Sequence, residues 1–287
     1  MTEPGIYPDV PEGHYHSDRN SLSVSGAKLL LPPSCPAKFR YRMDNPQPPN
    51  RVFDFGHVAH TLILGKGAEI VQIDAPDFRS KAAKEERDQA YAEGKVPILA
   101  EEYTKAVAMA DAVMSDPIAG PLLQGDGQAE VSLYADDPSG VQLRGRVDWL
   151  TTDEIDDYKT SSTANPEELQ RKFFTYGYFM QAAWYMDLAI ALEISENPRF
   201  RFIVQEKEPP HIVTVVEYDH EAIREGRRLN RMAIDLYKRC ADENHWPAYT
   251  DETITLSLPY WALKARDQAI YDEAAELERN WDDFIAS

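Results

Sequence analysis

The sequence is poor in cysteine and in long apolar runs, and each shortage excludes a class of protein. Its 287 residues include two cysteines, too few for a four-thiolate zinc or iron–sulfur site. We therefore expect no iron–sulfur cluster and two free thiols in a reducing compartment. No apolar run has the length of about 20 residues that a membrane helix needs. The N-terminus lacks the basic start and apolar stretch of a signal peptide. These absences predict a cytoplasmic protein that does not contact a membrane.

Basic residues are also scarce, since 30 Lys and Arg stand against 49 Asp and Glu, for a net charge of -19. Phosphate binding depends on Lys and Arg, so this balance argues against a broad nucleic-acid surface. Part of the surplus lies in the C-terminal segment 261–287, which we expect to form an acidic helix facing away from any DNA. DNA contact, if present, must then be local.

The hydrophobic share of 43% is enough for a packed core and excludes global disorder. The apolar pattern predicts an α+β fold with a central, mostly antiparallel or mixed sheet flanked by helices. We expect an extended start up to residue 18, an exposed or mobile arm at 79–95 and one long helix at about 173–193. The remaining predicted helices are 22–31, 35–43, 52–64, 100–115, 219–240 and 259–283, and the predicted strands are 129–135, 141–151, 154–160, 199–207 and 211–219. We expect one domain, 1–287, with a helical part (1–125), a core (126–260) and the acidic helix (261–287).

Two carboxylates and a lysine converge on neighbouring strands. If the chain turns near residue 152, Asp148 lies opposite residue 156 or 157, and cross-strand Cβ atoms are about 5 Å apart. Asp157 and Lys159 share a strand face because side chains alternate. Close carboxylates repel unless a cation lies between them, and Mg²⁺ prefers oxygen ligands. A lysine beside such an ion can orient water and stabilise charge on a phosphate. In an arbitrary sequence, D-x-K would more often be a surface ion pair.

These motifs resemble the PD-(D/E)xK nuclease superfamily, and within it the RecE type, the phage exodeoxyribonuclease VIII family. The resemblance runs from Tyr15 to Trp261, although Val147 stands where the superfamily has its proline. The matching segments are Tyr15-His16, LSVSGAKLL (22–30), Gly56–His60, Ala129-Glu130, Gly145–Asp148, Asp157–Thr160, Tyr178–Gln181 and LSLPYWA (256–262).

The resemblance implies a restriction-endonuclease-like core in which Asp148, Asp157, the backbone carbonyl of Tyr158 and His60 bind Mg²⁺, with Mn²⁺ as a substitute. It favours His60 over His57 and makes Lys159 the catalytic lysine. Glu130 would join the metal site or orient water, and Gln181 would support it. The residues expected to contact DNA are Arg144, Arg146, Tyr178, Tyr185, Lys38 and Arg40, with Phe39 or Tyr41 stacking on bases.

The implied function is a Mg²⁺-dependent exonuclease that degrades linear double-stranded DNA from 5′ to 3′ and leaves 3′ single-stranded tails for recombination. The resemblance further implies a tetrameric ring, a single-strand annealing protein of RecT type as partner, and a phage or prophage setting in a bacterial cytoplasm. Two alternatives stay open: a RecB- or Cas4-like repair nuclease with endonuclease activity, and a non-catalytic acidic protein that mimics DNA.

Overall fold

The computed structural model describes residues 2–45 and 51–286, with side chains 51–54 and 274–286 outside the description. The chain forms two compact units, Met1–Tyr249 and Thr250–Ser287. The helices are α1 (Glu12–Ser17), α2 (Val24–Leu30), α3 (Pro36–Asp44), α4 (Arg51–Leu64), α5 (Lys81–Ala92), α6 (Ala100–Ser115), α7 (Ala119–Gln124), α8 (Pro166–Thr175), α9 (Tyr178–Ala191), α10 (His220–Glu243) and α11 (Tyr260–Ala286). The strands are β1 (Gly5–Tyr7), β2 (Leu22–Ser23), β3 (Ile70–Ile73), β4 (Val96–Leu99), β5 (Gln128–Asp136), β6 (Gln142–Leu150), β7 (Glu154–Ser161), β8 (Arg199–Glu206) and β9 (Val213–Val216).

A mixed sheet organises the first unit, in the order β1-β5-β6-β7-β8-β9, with the short β2 pairing with β6. The β5-β6-β7 meander and the β8-β9 hairpin are antiparallel, whereas β7 and β8 run parallel. The parallel pair needs a crossover, which α8 and α9 supply. The predicted α+β class with a mixed central sheet is thereby confirmed.

Successive side chains along the strands of the sheet pack alternately into two hydrophobic cores. On β8, Phe202 and Val204 join the main core with α2, α9 and α10, whereas Ile203 joins a second core with α4, α6 and α7. This alternation follows from the two-residue period of a strand. The sheet is therefore buried on both faces, and a functional group can reach solvent only where strands end or separate.

Helix boundaries follow local sequence signals. The Ser23 hydroxyl accepts a hydrogen bond from the Gly26 N–H and caps α2, and α4 ends at Gly65, whose φ is 68°. Helices α9 and α10 cross closely at Gly226, where a Cβ would overlap the carbonyl oxygen of Phe179. This contact fixes the position of α9 against α10.

Two expectations from the sequence were wrong and one was right in part. The stretch 79–95, expected as an exposed or mobile arm, is largely exposed, but it contains the helix α5, capped by Ser80, with Ala83 and Ala90 buried. The expected helix 173–193 is two helices, because Gly177 takes a left-handed φ of 60° between α8 and α9. The first residues are not all extended, since α1 forms at Glu12–Ser17. The apolar pattern of the sequence also did not predict the small parallel sheet of β3 and β4.

The second unit consists of an extended segment followed by α11. The expected C-terminal helix is present, and the acidic side chains that follow Glu273 lie outside the description. Among the residues that the structure describes, none of the helices combines the length and apolarity needed to cross a bilayer.

Candidate active site

The site lies where β6 and β7 separate. In the described ladder these strands pair at Trp149–Asp156 and Leu150–Ile155. One step further, Asp148 and Asp157 occupy opposing positions without a ladder pair. There the Tyr158 N–H donates to Asp148 Oδ2 over 2.8 Å instead. The separation leaves backbone and carboxylate groups of two central strands outside the ladder at one point, and side chains from both faces of the sheet meet there.

The first group of side chains is the histidine cluster, which we define as His60, Glu130 and Asp148. His60 projects from α4, and its imidazole lies between two carboxylates. Its Nδ1 is 3.1 Å from Glu130 Oε1, and its Nε2 is 3.1 Å from Asp148 Oδ2. One ligand atom from each residue lies within 4.8 Å of the others. The cluster thus brings one nitrogen and two oxygen donors to a single point.

Glu130 holds its position with a strained backbone. Its φ is 55°, in the left-handed region that a glutamate rarely adopts. The β5-β6 ladder passes from Ala129–Trp149 to Val131–Val147 and omits the intervening pair of Glu130 and Asp148. Such backbone strain costs about 1–3 kcal/mol and persists only where surrounding structure imposes it. The distortion coincides with the cluster, which favours a functional reason for it.

The two carboxylates of the histidine cluster outnumber its one imidazole, and the three groups shift one another's pKa values. Burial and the nearby charge of Asp148 raise the pKa of Glu130 to about 7. Burial opposes the charge on His60, but Asp148 and Glu130 outweigh it and raise the pKa of His60 to about 9. Burial also disfavours the Asp148 anion, yet His60 holds the pKa of Asp148 below its usual range. The shifts of His60 and Asp148 report that a positive charge is favoured beside Asp148, and the shift of Glu130 reports the cost of a second carboxylate anion in the same half-buried place.

The second group is the lysine cluster, which we define as Asp157, Lys159 and Gln181. Asp157 and Lys159 point to the same face of β7 and form an ion pair, and Asp157 is 1% exposed. Gln181 Nε2 on α9 donates to Asp157 Oδ1 over 2.6 Å. The carboxylate therefore receives a hydrogen bond on one oxygen and an ammonium on the other.

The two clusters influence each other electrostatically. Burial, and then the charge of Asp148, raise the pKa of Asp157 to about 6, against the opposing effect of Lys159. Burial would lower the pKa of Lys159, but Asp157 and Asp148 raise it above its usual range. Lys159 is therefore held as an ammonium next to the histidine cluster.

The residues present fit a divalent cation. Two carboxylates and an imidazole are suitable donors, and a doubly charged ion would relieve the repulsion that burial creates between Glu130 and Asp148. His60, Glu130 and Asp148 would hold it, with Asp157 on the adjoining strand. When bound, such an ion lowers the pKa of a coordinated water and neutralises charge on a phosphate.

Three residues expected to contact DNA have internal partners. Arg144 is 6% exposed, and its guanidinium donates to the carbonyl and hydroxyl of Ser21. Arg146 donates to Ser132 Oγ over 3.0 Å and to the Val10 carbonyl. Tyr185 is buried in the main core. Burial leaves Arg144 and Tyr185 no surface for DNA, so we do not retain them as contacts. Arg146 also lies 3.8 Å from Glu130 Oε2, which makes it a positioning residue for the histidine cluster.

The basic segment on α3 lies at the surface. Lys38 and the exposed Tyr41 line an open cavity of about 590 Å³, where the Lys38 ammonium is 5.0 Å from the Tyr249 ring centroid. Arg40 forms an ion pair with Asp44, with Nε 2.8 Å from Oδ2. Phe39 is buried and cannot stack on a base, whereas Tyr41 can. DNA contacts by Lys38 and Arg40 stay predictions.

Sequence reasoning missed Lys28. This lysine lies on α2, and its ammonium is 5.3 Å from the ring centroid of Tyr178, while that of Lys159 is 5.6 Å from the same centroid. The segment LSVSGAKLL carried a signal, because Lys28 is the one charged residue in an otherwise apolar or small stretch.

The fold and the two clusters agree with the PD-(D/E)xK nuclease superfamily, and a family model places the chain there. Residues 23–257 match the PDDEXK-like domain of unknown function (DUF3799), and the chain belongs to that family. A crystal structure from Eubacterium rectale described as a "putative exonuclease" shares the fold, with a TM-score of 0.59 and 12% identity. The match covers 90% of this chain and 98% of that one. No curated protein matches the sequence.

Proposed function

We propose that this chain is a Mg²⁺-dependent exonuclease of the RecE type, which degrades linear double-stranded DNA from 5′ to 3′. The observation that carries the proposal is the contiguity of the two clusters on β6 and β7: a cation site of two carboxylates and a histidine next to a half-buried lysine. Phosphodiester hydrolysis needs both parts, a charge to activate water and a charge to receive the developing anion. The family match and the Eubacterium rectale fold support the nuclease class, and the 5′ to 3′ polarity rests on the resemblance to the RecE type alone.

Each cluster has a separate task in this reaction. Glu130 and Asp148 supply the negative charge that binds Mg²⁺, and Asp148 is oriented by the Tyr158 N–H. Lys159 donates hydrogen bonds to the attacking water or to a phosphate oxygen, and Asp157 with Gln181 fixes its carbon stem and ammonium in place. Mn²⁺ suits the same donors. The Tyr158 carbonyl as a metal ligand is part of this proposal.

Further parts of the proposal rest on the resemblance. They are the division of one nuclease domain into 1–125, 126–260 and 261–287, the ring of four copies, the RecT-type annealing partner and a cytoplasmic, phage-linked setting. The basic residues Lys38 and Arg40 and the ring of Tyr178 would contact the DNA.

Digestion of linear duplex DNA, labelled at either the 5′ or the 3′ end, tests the function. We expect Mg²⁺-dependent release of the 5′ label first, no cleavage of closed circular DNA, and loss of activity in Asp157→Ala and Lys159→Ala. The exposed pair Asp242 and Lys238 on α10 offers matched controls, Asp242→Ala and Lys238→Ala, which should keep full activity.

Each contrary result has a distinct meaning. Cleavage of circles would make the protein an endonuclease of the RecB or Cas4 kind. Early release of the 3′ label would reverse the polarity. Activity that survives in both site variants, or that needs no metal, would overturn the assigned site. A chain that binds DNA-binding proteins and does not cleave DNA would be a non-catalytic acidic mimic of DNA.

A further inference from the structure

Lys28 occupies a constrained position beside the lysine cluster. It projects from α2, whose residues Ala27 and Leu30 are buried in the main core. Its carbon stem packs on the left-handed turn between α8 and α9, where a Cβ on Gly177 would be 3.4 Å from Lys28 Cε. The break between these helices thus makes room for the lysine stem and directs its ammonium toward Tyr178.

The ammonium of Lys28 lacks a counter-charge. Its Nζ donates to the Tyr176 carbonyl over 3.0 Å and lies 5.3 Å from the Tyr178 ring centroid. Among the side chains that the structure describes, no carboxylate forms a salt bridge with it. An ammonium has three N–H donors, so one bond to a carbonyl leaves donors unused. Burial lowers the pKa of Lys28 to about 8, with a further lowering by Lys159 and partial opposition from Asp157.

A half-buried cation without an anion, such as Lys28, is held at a cost in the folded protein that a ligand of opposite charge would relieve. Asp157 does not fill this role, because it already pairs with Lys159 and accepts from Gln181. Lys28 and Lys159 approach the same ring of Tyr178, at 5.3 and 5.6 Å from its centroid. Two ammonium groups held this way form an anion-binding site, which extends from the lysine cluster toward α2.

We propose that Lys28 binds a phosphate of the DNA strand next to the one that is cleaved, with the Tyr178 ring setting its separation from Lys159. This inference rests on the proposed nuclease function, which supplies the phosphodiester. Lys28 donates its unused N–H groups to a non-bridging oxygen and neutralises that phosphate. It contacts no bond that breaks. Its effect therefore falls on substrate affinity and not on the chemical step.

Two substitutions of Lys28 test the assignment. Lys28→Met removes the charge and keeps the stem that packs on Gly177, and Lys28→Arg keeps the charge. Lys238→Met on α10 is the matched control, since it removes a surface lysine paired with Asp242. The readouts are kcat and KM on linear duplex with Mg²⁺, and equilibrium binding of the same duplex in EDTA over a series of salt concentrations.

We expect Lys28→Met to raise KM and the dissociation constant about tenfold, the usual effect of losing a charged hydrogen bond. The slope of the logarithm of the binding constant against the logarithm of the salt concentration should become shallower by about one unit, as for one lost phosphate contact. Lys28→Arg should retain most of the affinity, and Lys238→Met should match wild type. Unchanged binding and KM in Lys28→Met would overturn the proposal. So would a fall in kcat alone, which would mean that Lys28 only positions Lys159.

The binding measurement separates this proposal from the function on which it rests. If wild type cleaves no DNA but binds duplex through Lys28, the nuclease function fails and the phosphate contact stands. If wild type cleaves DNA and Lys28→Met binds as tightly as wild type, the function stands and the contact fails.

Discussion

The histidine cluster and the lysine cluster lie side by side yet differ in how their charges are balanced. The histidine cluster places two carboxylates against one imidazole on a strained backbone, with Glu130 at a φ of 55°. The lysine cluster pairs one carboxylate with one ammonium, and Gln181 satisfies the remaining oxygen. Within the three side chains of the first cluster the carboxylates outnumber the one imidazole, and the nearest further cation is Arg146, 3.8 Å from Glu130, whereas the second cluster pairs one carboxylate with one ammonium.

This difference separates a binding site from a positioning device. An excess of buried carboxylate favours a cation, which is the requirement for a metal centre. A hydrogen-bonded ion pair attracts a further cation less strongly than two carboxylates do, but it holds a lysine in one geometry. Substitutions in the two clusters should therefore have different signatures in metal binding and in catalysis.

Breaking the histidine cluster should have the largest effect. Asp148→Asn removes one charge from the pair that faces His60, and with it the main reason for a cation to bind. We expect loss of metal binding by calorimetry, and a fall in DNA cleavage of about a thousandfold or more, because a bound metal supplies several kcal/mol of barrier lowering. Asp242→Asn is the control. Activity within tenfold of wild type would show that the metal is held elsewhere.

Breaking the lysine cluster through Gln181→Leu should have an intermediate effect. Asp157 Oδ1 would lose its donor in a buried setting, and Lys159 would lose a fixed partner. We expect kcat to fall about 10- to 100-fold, as for other partners that orient metal-site groups, with metal affinity changed far less than in Asp148→Asn. An equal loss of metal affinity in both variants would remove the distinction between the clusters.

The smallest expected effect concerns stability, at the unbalanced lysine beside the second cluster. The folded pKa of Lys28, about 8, is below its ordinary value of 10.5, so folding is penalised wherever the ammonium is charged. The penalty is absent above pH 10.5, where the amine is neutral in both states, and it grows to its full size as the pH falls to about 8. Lys28→Met should therefore stabilise the protein at pH 7, on the order of 1 kcal/mol after discounting for solvent.

Urea unfolding of wild type, Lys28→Met and Lys238→Met at pH 7 and pH 10 measures this contribution. The groups that face Lys28 are Lys159, which adds to the penalty, and Asp157, which reduces it. The gain in Lys28→Met should shrink at pH 10 and be absent from Lys238→Met. A loss of stability at pH 7 would show that the ammonium of Lys28, through its hydrogen bond to the Tyr176 carbonyl, stabilises the fold more than its burial penalises it.

The sequence predicted those parts of the structure that depend on nearest neighbours. Alternation predicted the three strands of the meander, and its turn placed Asp148 opposite residue 156 or 157, of which the register selects 157. Spacing along β7 placed Asp157 and Lys159 on one face. The sequence motif selected His60, which the structure brings to Glu130 and Asp148, whereas His57 is exposed.

The parts that sequence could not supply depend on contacts between distant segments. The buried environment of Arg144 requires Ser21, which lies 123 positions away. The left-handed backbone of Glu130 arises from a ladder distortion that no local pattern shows. The unbalanced charge of Lys28 becomes visible only when α2 packs beside Tyr178. The local sequence pattern therefore located the carboxylates. Tertiary packing determined which cations have internal partners, as Arg144 does, and which lack a counter-charge, as Lys28 does.

The close crossing at Gly226 has a consequence for engineering. A methyl group at this position would overlap the Phe179 carbonyl and touch Ala183, so α9 would have to slide or tilt. Gln181 lies on the same helix between those two contacts, and its amide is 2.6 Å from Asp157. The absence of a side chain at Gly226 on α10 therefore sets how closely α9 can approach, and with it the position of the Gln181 amide. A library that varies the surface of α10 should leave that one position untouched.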